Sequence, residues 1–145
     1  PDPLSLVYTV HFGSIGLGMP YAIGASVAAP NRPTLLVTGD GGFMLGGLSE
    51  FNTAVRHKVD LIVVVCNDGS YGAEHVQFRN RNLNPDISCF DWPEFAPLAD
   101  SLGGQGFAVS NEDDLNRACE AIEKRTRPLL IDLKLDPDHV PSMRR

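Results

Sequence analysis

The sequence predicts an α/β domain in three layers, with a mainly parallel central sheet between helices. Three observations carry that prediction. Thr34-Leu35-Leu36-Val37-Thr38 and Leu61-Ile62-Val63-Val64-Val65 are short, continuous, largely β-branched runs, as expected of strands covered on both faces of a parallel sheet. Between them Leu48, Phe51, Ala54 and Val55 recur at helical spacing over residues 48–58, so the stretch reads strand, loop, helix, strand. A right-handed βαβ crossover has this order.

The remaining elements follow along the chain. Residues 18–29 read as an earlier helix stopped by Pro30 and Pro33. Residues 70–92 show no clear period and carry Arg79-Asn80-Arg81-Asn82-Leu83-Asn84-Pro85, which reads as a long surface excursion. A short helix over 94–102 is closed by Gly103-Gly104, and residues 107–109 form a brief strand. Asn111 caps a helix through Lys124, with Asp113 and Asp114 in the first turn where the helix dipole favours acids. Residues 129–135 make a last strand, and the tail over 137–145 reads as frayed.

With 145 residues and 43% hydrophobic side chains, the chain reads as one domain with one core. A net charge of -6 argues against a nucleic-acid partner, because neutralising phosphates needs clustered Lys and Arg. The basic clusters are short: Arg79 with Arg81, and Arg144 with Arg145. Cys66, Cys89 and Cys119 show no CxxC spacing and cannot all pair, which fits reduced thiols and a cytoplasmic location. No apolar run approaches the roughly 20 residues of a membrane span, and Pro1-Asp2-Pro3 opens neither a basic region nor a signal-peptide core.

The chemistry is concentrated where the two apolar strands end, at Gly39-Asp40-Gly41-Gly42 and at Asn67-Asp68-Gly69. Open parallel sheets bind ligands beyond the carboxyl ends of their strands. Neighbouring strands lie about 4.8 Å apart, so Asp40 and Asn67 can share one small ion although 27 positions separate them. A carboxylate, an amide oxygen and a backbone carbonyl are hard ligands that suit Mg²⁺ or Ca²⁺. Magnesium held by one carboxylate completes its shell with water and phosphate oxygens, which implies a phosphorylated ligand. Gly41 and Gly42 let backbone N–H groups approach such a phosphate, and the following helix can turn its positive end towards it. Two rival phosphate motifs fail: no GxxxxGK[ST] occurs, and neither Gly16 nor Gly39 starts a GxGxxG.

Gly39-Asp40-Gly41, then 25 residues, then Asn67-Asp68-Gly69, resembles the GDG…N motif of thiamin-diphosphate-dependent enzymes. The segment from Gly13-Ser14-Ile15-Gly16 to Gly24-Ala25 resembles the one upstream of that motif in the branch of acetolactate synthase, pyruvate decarboxylase and benzoylformate decarboxylase. The resemblance covers residues 12–135 and implies the thiamin-diphosphate-binding fold, specifically the diphosphate-binding domain of a longer enzyme. It implies Mg²⁺ on the side chains of Asp40 and Asn67 and the carbonyl of Gly69. Thiamin diphosphate would be contacted by Gly13, Ser14, Ile15, Gly39, Asp40, Gly41, Gly42, Asn67, Gly69, Ser70 and Tyr71. Gly13 would offer its carbonyl to the cofactor's 4'-amino group, and Ile15 would lie beneath the bent cofactor, holding that amino group near the thiazolium carbon.

The implied reaction is decarboxylation of a 2-oxo acid, with or without transfer of the two-carbon unit to an acceptor carbonyl. The implied partners are a pyrimidine-binding domain, on the same or a partner subunit, that carries an essential glutamate, and a second copy or more in a homodimer or homotetramer. Two readings from other classes compete: a non-catalytic phosphate-binding or assembly module, and a nucleotide-dependent oxidoreductase with an unusual glycine loop. Many family members carry two asparagines where this chain has Cys66-Asn67.

Other residues divide between structure and function. Met19 reads as core, Cys66 as a buried inert thiol, with a reactive thiol beside a bound cation as the other reading, and Cys119 as packing on a helix. His57 and His139 read as surface residues. His11 reads equally as a ligand contact or as a histidine satisfied by a loop carbonyl. Glu74 and His75 read as solvent-facing loop residues, with contact to substrate as the other reading.

Overall fold

The computed structural model describes residues 5–9, 11–126 and 128–139. Its centre is a four-stranded, wholly parallel sheet in the order β1 (Thr34–Gly39), β2 (Leu61–Asn67), β4 (Leu129–Lys134), β3 (Gln105–Val109). Among the described residues six α-helices accompany it: α1 (Gly18–Ala28), α2 (Asp40–Gly42), α3 (Leu48–His57), α4 (Gly72–Asn80), α5 (Phe95–Ser101) and α6 (Glu112–Lys124). The predicted α/β architecture is therefore present, with each predicted strand and helix within two residues of its expected ends.

Two apolar clusters flank the sheet and make the three layers. On one face Met19 and Ala22 of α1, Phe51 and Ala54 of α3, and Phe95 and Ala99 of α5 pack on Leu61, Val63, Val65 and Leu130. On the other, Ala118 and Ala121 of α6 pack on Ile62, Leu129, Ile131 and Val109. The alternation of the strand backbone sends successive residues to opposite faces, so β2 is apolar from Leu61 to Val65 because both faces are covered.

β1 departs from the expectation. It sits at the edge of the described sheet, and Leu35 and Val37 are 61% and 62% exposed because α6 covers only the strands further in. The apolar run thus identified a strand but not its full cover.

The predicted loop after β1 is also absent. Gly39 is the last residue of the strand and Asp40 the first of a helix. Helical backbone continues through a π-helical turn over Phe43–Gly47 into α3, which ends as expected where Lys58 takes the left-handed conformation at φ 51°. Gly47 suits this crowded turn, since a Cβ there would sit 2.6 Å from the Phe43 ring and 3.1 Å from Met19.

The stretch 70–92 corrects the reading of a structureless excursion. It contains α4 and a 3₁₀ turn over Asp86–Ser88, and it folds back so that Ser70 pairs antiparallel with Cys89. Its apolar side chains show no helical period because α4 buries a histidine, His75, instead of an apolar stripe. Of the tail expected to fray, residues 140–145 lie outside the described residues. Asp138, however, is held by His75 and Arg79. Asn111 caps α6 as predicted, its Oδ1 accepting from Asp114 N–H at 2.9 Å. Cys119, expected to pack, is exposed.

Candidate functional site

The register of β1 on β2 sets Gly39 opposite Cys66, so the next residues, Asp40 and Asn67, emerge at the same end of the sheet. Both are buried, at 2% and 7% exposure. The Gly69 N–H donates to Asn67 Oδ1 at 3.3 Å and also acts to lower the Asp40 carboxyl. Positive φ at Gly69, 67°, turns the backbone so that this N–H can point between them. The Gly69 carbonyl, expected as a metal ligand, accepts from Phe90 N–H at 2.7 Å, which leaves one lone pair for any other partner.

The Asn67 amide has a fixed orientation. Its Nδ2 donates at 2.8 Å to Oδ1 of Asp132, a carboxylate with no exposed surface. A carboxylate oxygen can only accept, so the amide nitrogen must face Asp132 and the amide oxygen must face Gly69 and Asp40. Asp132 is anchored in turn by the Phe95 N–H at 3.2 Å and by Lys134 Nζ at 2.9 Å. Sequence reasoning missed this aspartate. The available signal was one acid inside the otherwise apolar run Leu129-Leu130-Ile131-Asp132-Leu133, where a charge is costly without partners.

Asp40 accepts from its own neighbour's Gly41 N–H at 2.8 Å and from Trp92 Nε1–H at 2.9 Å. Burial raises the Asp40 carboxyl above its ordinary value, the N–H of Gly41 opposes this, and the nearby Asp68 raises it further, with Gly69 and Trp92 again opposing. Burial, then Asp68 and Asp40, also push the Cys66 thiol up. Two carboxylates thus lie close together and are balanced by N–H dipoles and, at Asp68, by the Ser70 hydroxyl at 2.9 Å, an environment that a cation would relieve. The donor set is one carboxylate flanked by amide and carbonyl oxygens, and among the described residues no group of three His, Cys, Asp or Glu could hold a metal. Those oxygens fit a hard divalent ion and not zinc.

An open cleft of about 410 Å³ lies beside this pair, lined by Ile15, the Gly39–Gly42 turn, Cys66, Asp68, residues 70–74 and Leu135. The helix that starts at Asp40 presents its N-terminus here with no side-chain cap from Gly39, and of its first-turn N–H groups that of Gly41 bonds the Asp40 carboxylate. Ile15 is brought in by close backbone contact: Gly16 crosses the π turn, and a Cβ on it would lie 3.5 Å from both Gly42 O and Leu45 Cβ. Tyr71 lies across Gly41, where a Cβ would come within 2.4 Å of its ring. From Tyr71 an aromatic series runs through Phe90 to Trp92, with ring centroids 4.6 Å apart at each step. Sequence reasoning also missed Trp92 and its contact with Asp40.

Of the predicted contact residues, Ile15, Gly39, Asp40, Gly41, Gly42, Ser70 and Tyr71 line the cleft, whereas Asn67 and Gly69, bonded to each other, lie outside the lining. Gly13 and Ser14 are exposed and outside the lining. His11 is exposed and stacks on Tyr21 at 6.0 Å. Met19 is core, His57 and His139 are exposed, and Cys66 is half-buried. Glu74 is exposed at the cleft, whereas His75, expected to face solvent, is 5% exposed.

A parallel α/β sheet with an acid and an amide converging beside an uncapped helix start defines a domain suited to an anionic ligand and its counter-ion. The model of the thiamine pyrophosphate enzyme C-terminal TPP-binding domain matches residues 2–133, and the chain belongs to that family. It is 30% identical over 138 residues to acetolactate synthase of Bacillus subtilis, covering 93% of this chain and 24% of that protein. To a probable pyruvate decarboxylase of Schizosaccharomyces pombe it is 31% identical, over 89% of this chain and 23% of the other. The structure of the thiamine diphosphate-dependent 4-hydroxybenzoylformate decarboxylase of Rhodococcus jostii superposes with a TM-score of 0.74 at 27% identity, covering 84% of this chain and 23% of that one. The chain thus spans about a quarter of the length of these relatives. Among the described residues no helix is long and apolar enough to cross a membrane.

Proposed function

We propose that the domain grips thiamin diphosphate through Mg²⁺, and that the whole protein decarboxylates a 2-oxo acid, with or without passing the two-carbon unit to an acceptor carbonyl. The observation that carries this reading is that Asp40 and Asn67, both buried, leave neighbouring parallel strands at the same end, beside a cleft lined by an uncapped helix start. Asp40 Oδ and Asn67 Oδ1 would hold the cation, with the second lone pair of the Gly69 carbonyl. Asp132 positions Asn67 by fixing its amide, and Trp92 orients the Asp40 carboxylate. Gly41 and Gly42 would turn first-turn N–H groups to the diphosphate, and Ile15 would support the cofactor's rings, with Gly13 and Ser14 beside them. The aromatic series from Tyr71 to Trp92 keeps water from the buried side of the site. When bound, the cofactor supplies an electron sink for cleaving the bond beside a 2-oxo carbonyl.

The partners proposed with this function are a 2-oxo acid, a pyrimidine-binding domain of the same or a partner subunit, and further copies in a homodimer or homotetramer. The likeness to acetolactate synthase and to two decarboxylases supports this class of reaction. Titration of the intact protein with thiamin diphosphate tests it. Ligand at a hundred times its dissociation constant should stabilise the fold by about 2.7 kcal/mol when Mg²⁺ is present. Removing Mg²⁺, or replacing Asp40 by alanine, should abolish that gain. Equal stabilisation without the metal, or in Asp40→Ala, refutes the assignment.

A further inference from the structure

Cys89, His75 and Asp138 come from three separate segments: the strand-like return after the 3₁₀ turn, helix α4, and the turn after β4. Cys89 Sγ lies 3.5 Å from His75 Nδ1, and His75 Nε2 lies 2.9 Å from Asp138 Oδ1. The histidine is buried while the cysteine is exposed, so a reagent can reach the sulfur but not the ring that serves it. Neither side chain lines the cleft, and neither is used by the function proposed above.

The tautomer follows from the partners. The Asp138 carboxyl is held below the ordinary value first by its hydrogen bond with His75, and the Arg79 guanidinium, which also bonds it, acts in the same direction. An ionised carboxylate only accepts, so Nε2 carries the proton facing Asp138, and whenever the ring holds a single proton Nδ1 presents its lone pair to the Cys89 thiol. A thiol, a base in contact with it and an acid that orients the base are the elements of an activated nucleophile. The other acceptor near the sulfur is the Pro85 carbonyl at 3.7 Å, too weak a base to take a proton.

We propose that Cys89, His75 and Asp138 form a reactive-thiol site that exchanges with low-molecular-weight disulfides. The Cys89 S–H proton passes to His75 Nδ1 as the sulfur attacks one sulfur of the disulfide. A new S–S bond forms at Cys89, the old S–S bond breaks, and its electron pair leaves on the departing thiolate. That thiolate takes the proton back from His75. Cys89 is thereby oxidised to a mixed disulfide and one half of the reagent is reduced to a free thiol. The site is reversible, because excess thiol runs the same exchange backwards.

The exchange is independent of cofactor binding, and its test needs no turnover. The intact protein is treated with 4,4'-dithiodipyridine at neutral pH, and the labelling rate of each cysteine is followed by mass spectrometry. Cys119, also exposed but without a histidine partner among the described residues, is the internal reference. Cys89 is expected to react at least tenfold faster than Cys119, and a smaller ratio overturns the proposal. His75→Gln should slow Cys89 at least fivefold and leave Cys119 unchanged; a lesser loss overturns it. Should His75→Gln fail to fold, Asp138→Asn, a change in an exposed turn, replaces it: slowing of Cys89 by at least twofold supports the site and an unchanged rate overturns it.

Discussion

Replacing Asp132 by alanine removes an acceptor that three donors share. Asp132 has no exposed surface, and its two oxygens take Asn67 Nδ2 at 2.8 Å, Phe95 N–H at 3.2 Å and Lys134 Nζ at 2.9 Å. Lys134 keeps Glu94 at 2.8 Å, so it loses least. The Asn67 amide and the Phe95 N–H are left buried, and each unsatisfied donor costs about 1–3 kcal/mol. With the loss of a buried charge partner, the total comes to roughly 3–5 kcal/mol. Urea denaturation of the intact protein, followed by a probe of this domain, reads that difference as a shift of the midpoint at constant slope. Asp132→Asn keeps one acceptor oxygen and the shape, so it should lose about half as much. A loss below about 1 kcal/mol in Asp132→Ala would show that water or a backbone carbonyl readily replaces the carboxylate, and would refute the account of Asn67 as an amide locked from behind.

Three further outcomes are expected. Gly106→Ala places a Cβ 2.0 Å from the Ala96 carbonyl oxygen in the backbone of α5, which cannot swing aside; a loss of about 3 kcal/mol or more is expected, against a gain of up to about 1 kcal/mol for Gly24→Ala, where nothing lies within 4 Å. Thermal unfolding of the two variants side by side checks this. Trp92→Phe removes the indole donor to Asp40 Oδ2 and should cost about 1.5–3 kcal/mol by chemical denaturation, since the acceptor is charged; no measurable change would remove Trp92 from the site. Burial lowers the Lys134 pKa, but hydrogen bonds to Glu94 and Asp132 outweigh it and leave the value raised above 10.5. The stabilisation from these pairs is therefore complete below pH 10.5 and is lost as pH rises through the higher folded value; Lys134→Gln should abolish that alkaline step in a pH series of unfolding midpoints.

The sheet and the meeting of Asp40 with Asn67 at one strand end were readable because both rest on local patterns. The β-branched runs, the 3.6-residue spacing of Leu48, Phe51 and Val55, and the Asn111 cap each follow from backbone geometry that a few adjacent residues determine. Asp40 and Asn67 met because two parallel neighbours must finish at the same end. What escaped depended on contacts distant in sequence. Asp132 reaches Asn67 across 65 positions and Trp92 reaches Asp40 across 52, and no period or propensity encodes such pairs. Helix α4 escaped for a different reason: its buried anchor is His75, held by Asp138 from beyond the last strand, so it carries no apolar stripe to detect. The outer face of β1 shows the converse error, since Leu35 and Val37 look like core in sequence but remain uncovered among the described residues.

The direct passage from β1 into the helix that begins at Asp40 makes this junction sensitive to chain length. Each added helical residue rotates the succeeding chain by about 100°, so one extra amino acid between Gly39 and Asp40 would carry the carboxylate round to another side of the axis. A flexible connection would absorb the change. Here there is no slack, and insertions or deletions at the junction should be far more damaging than substitutions of similar size.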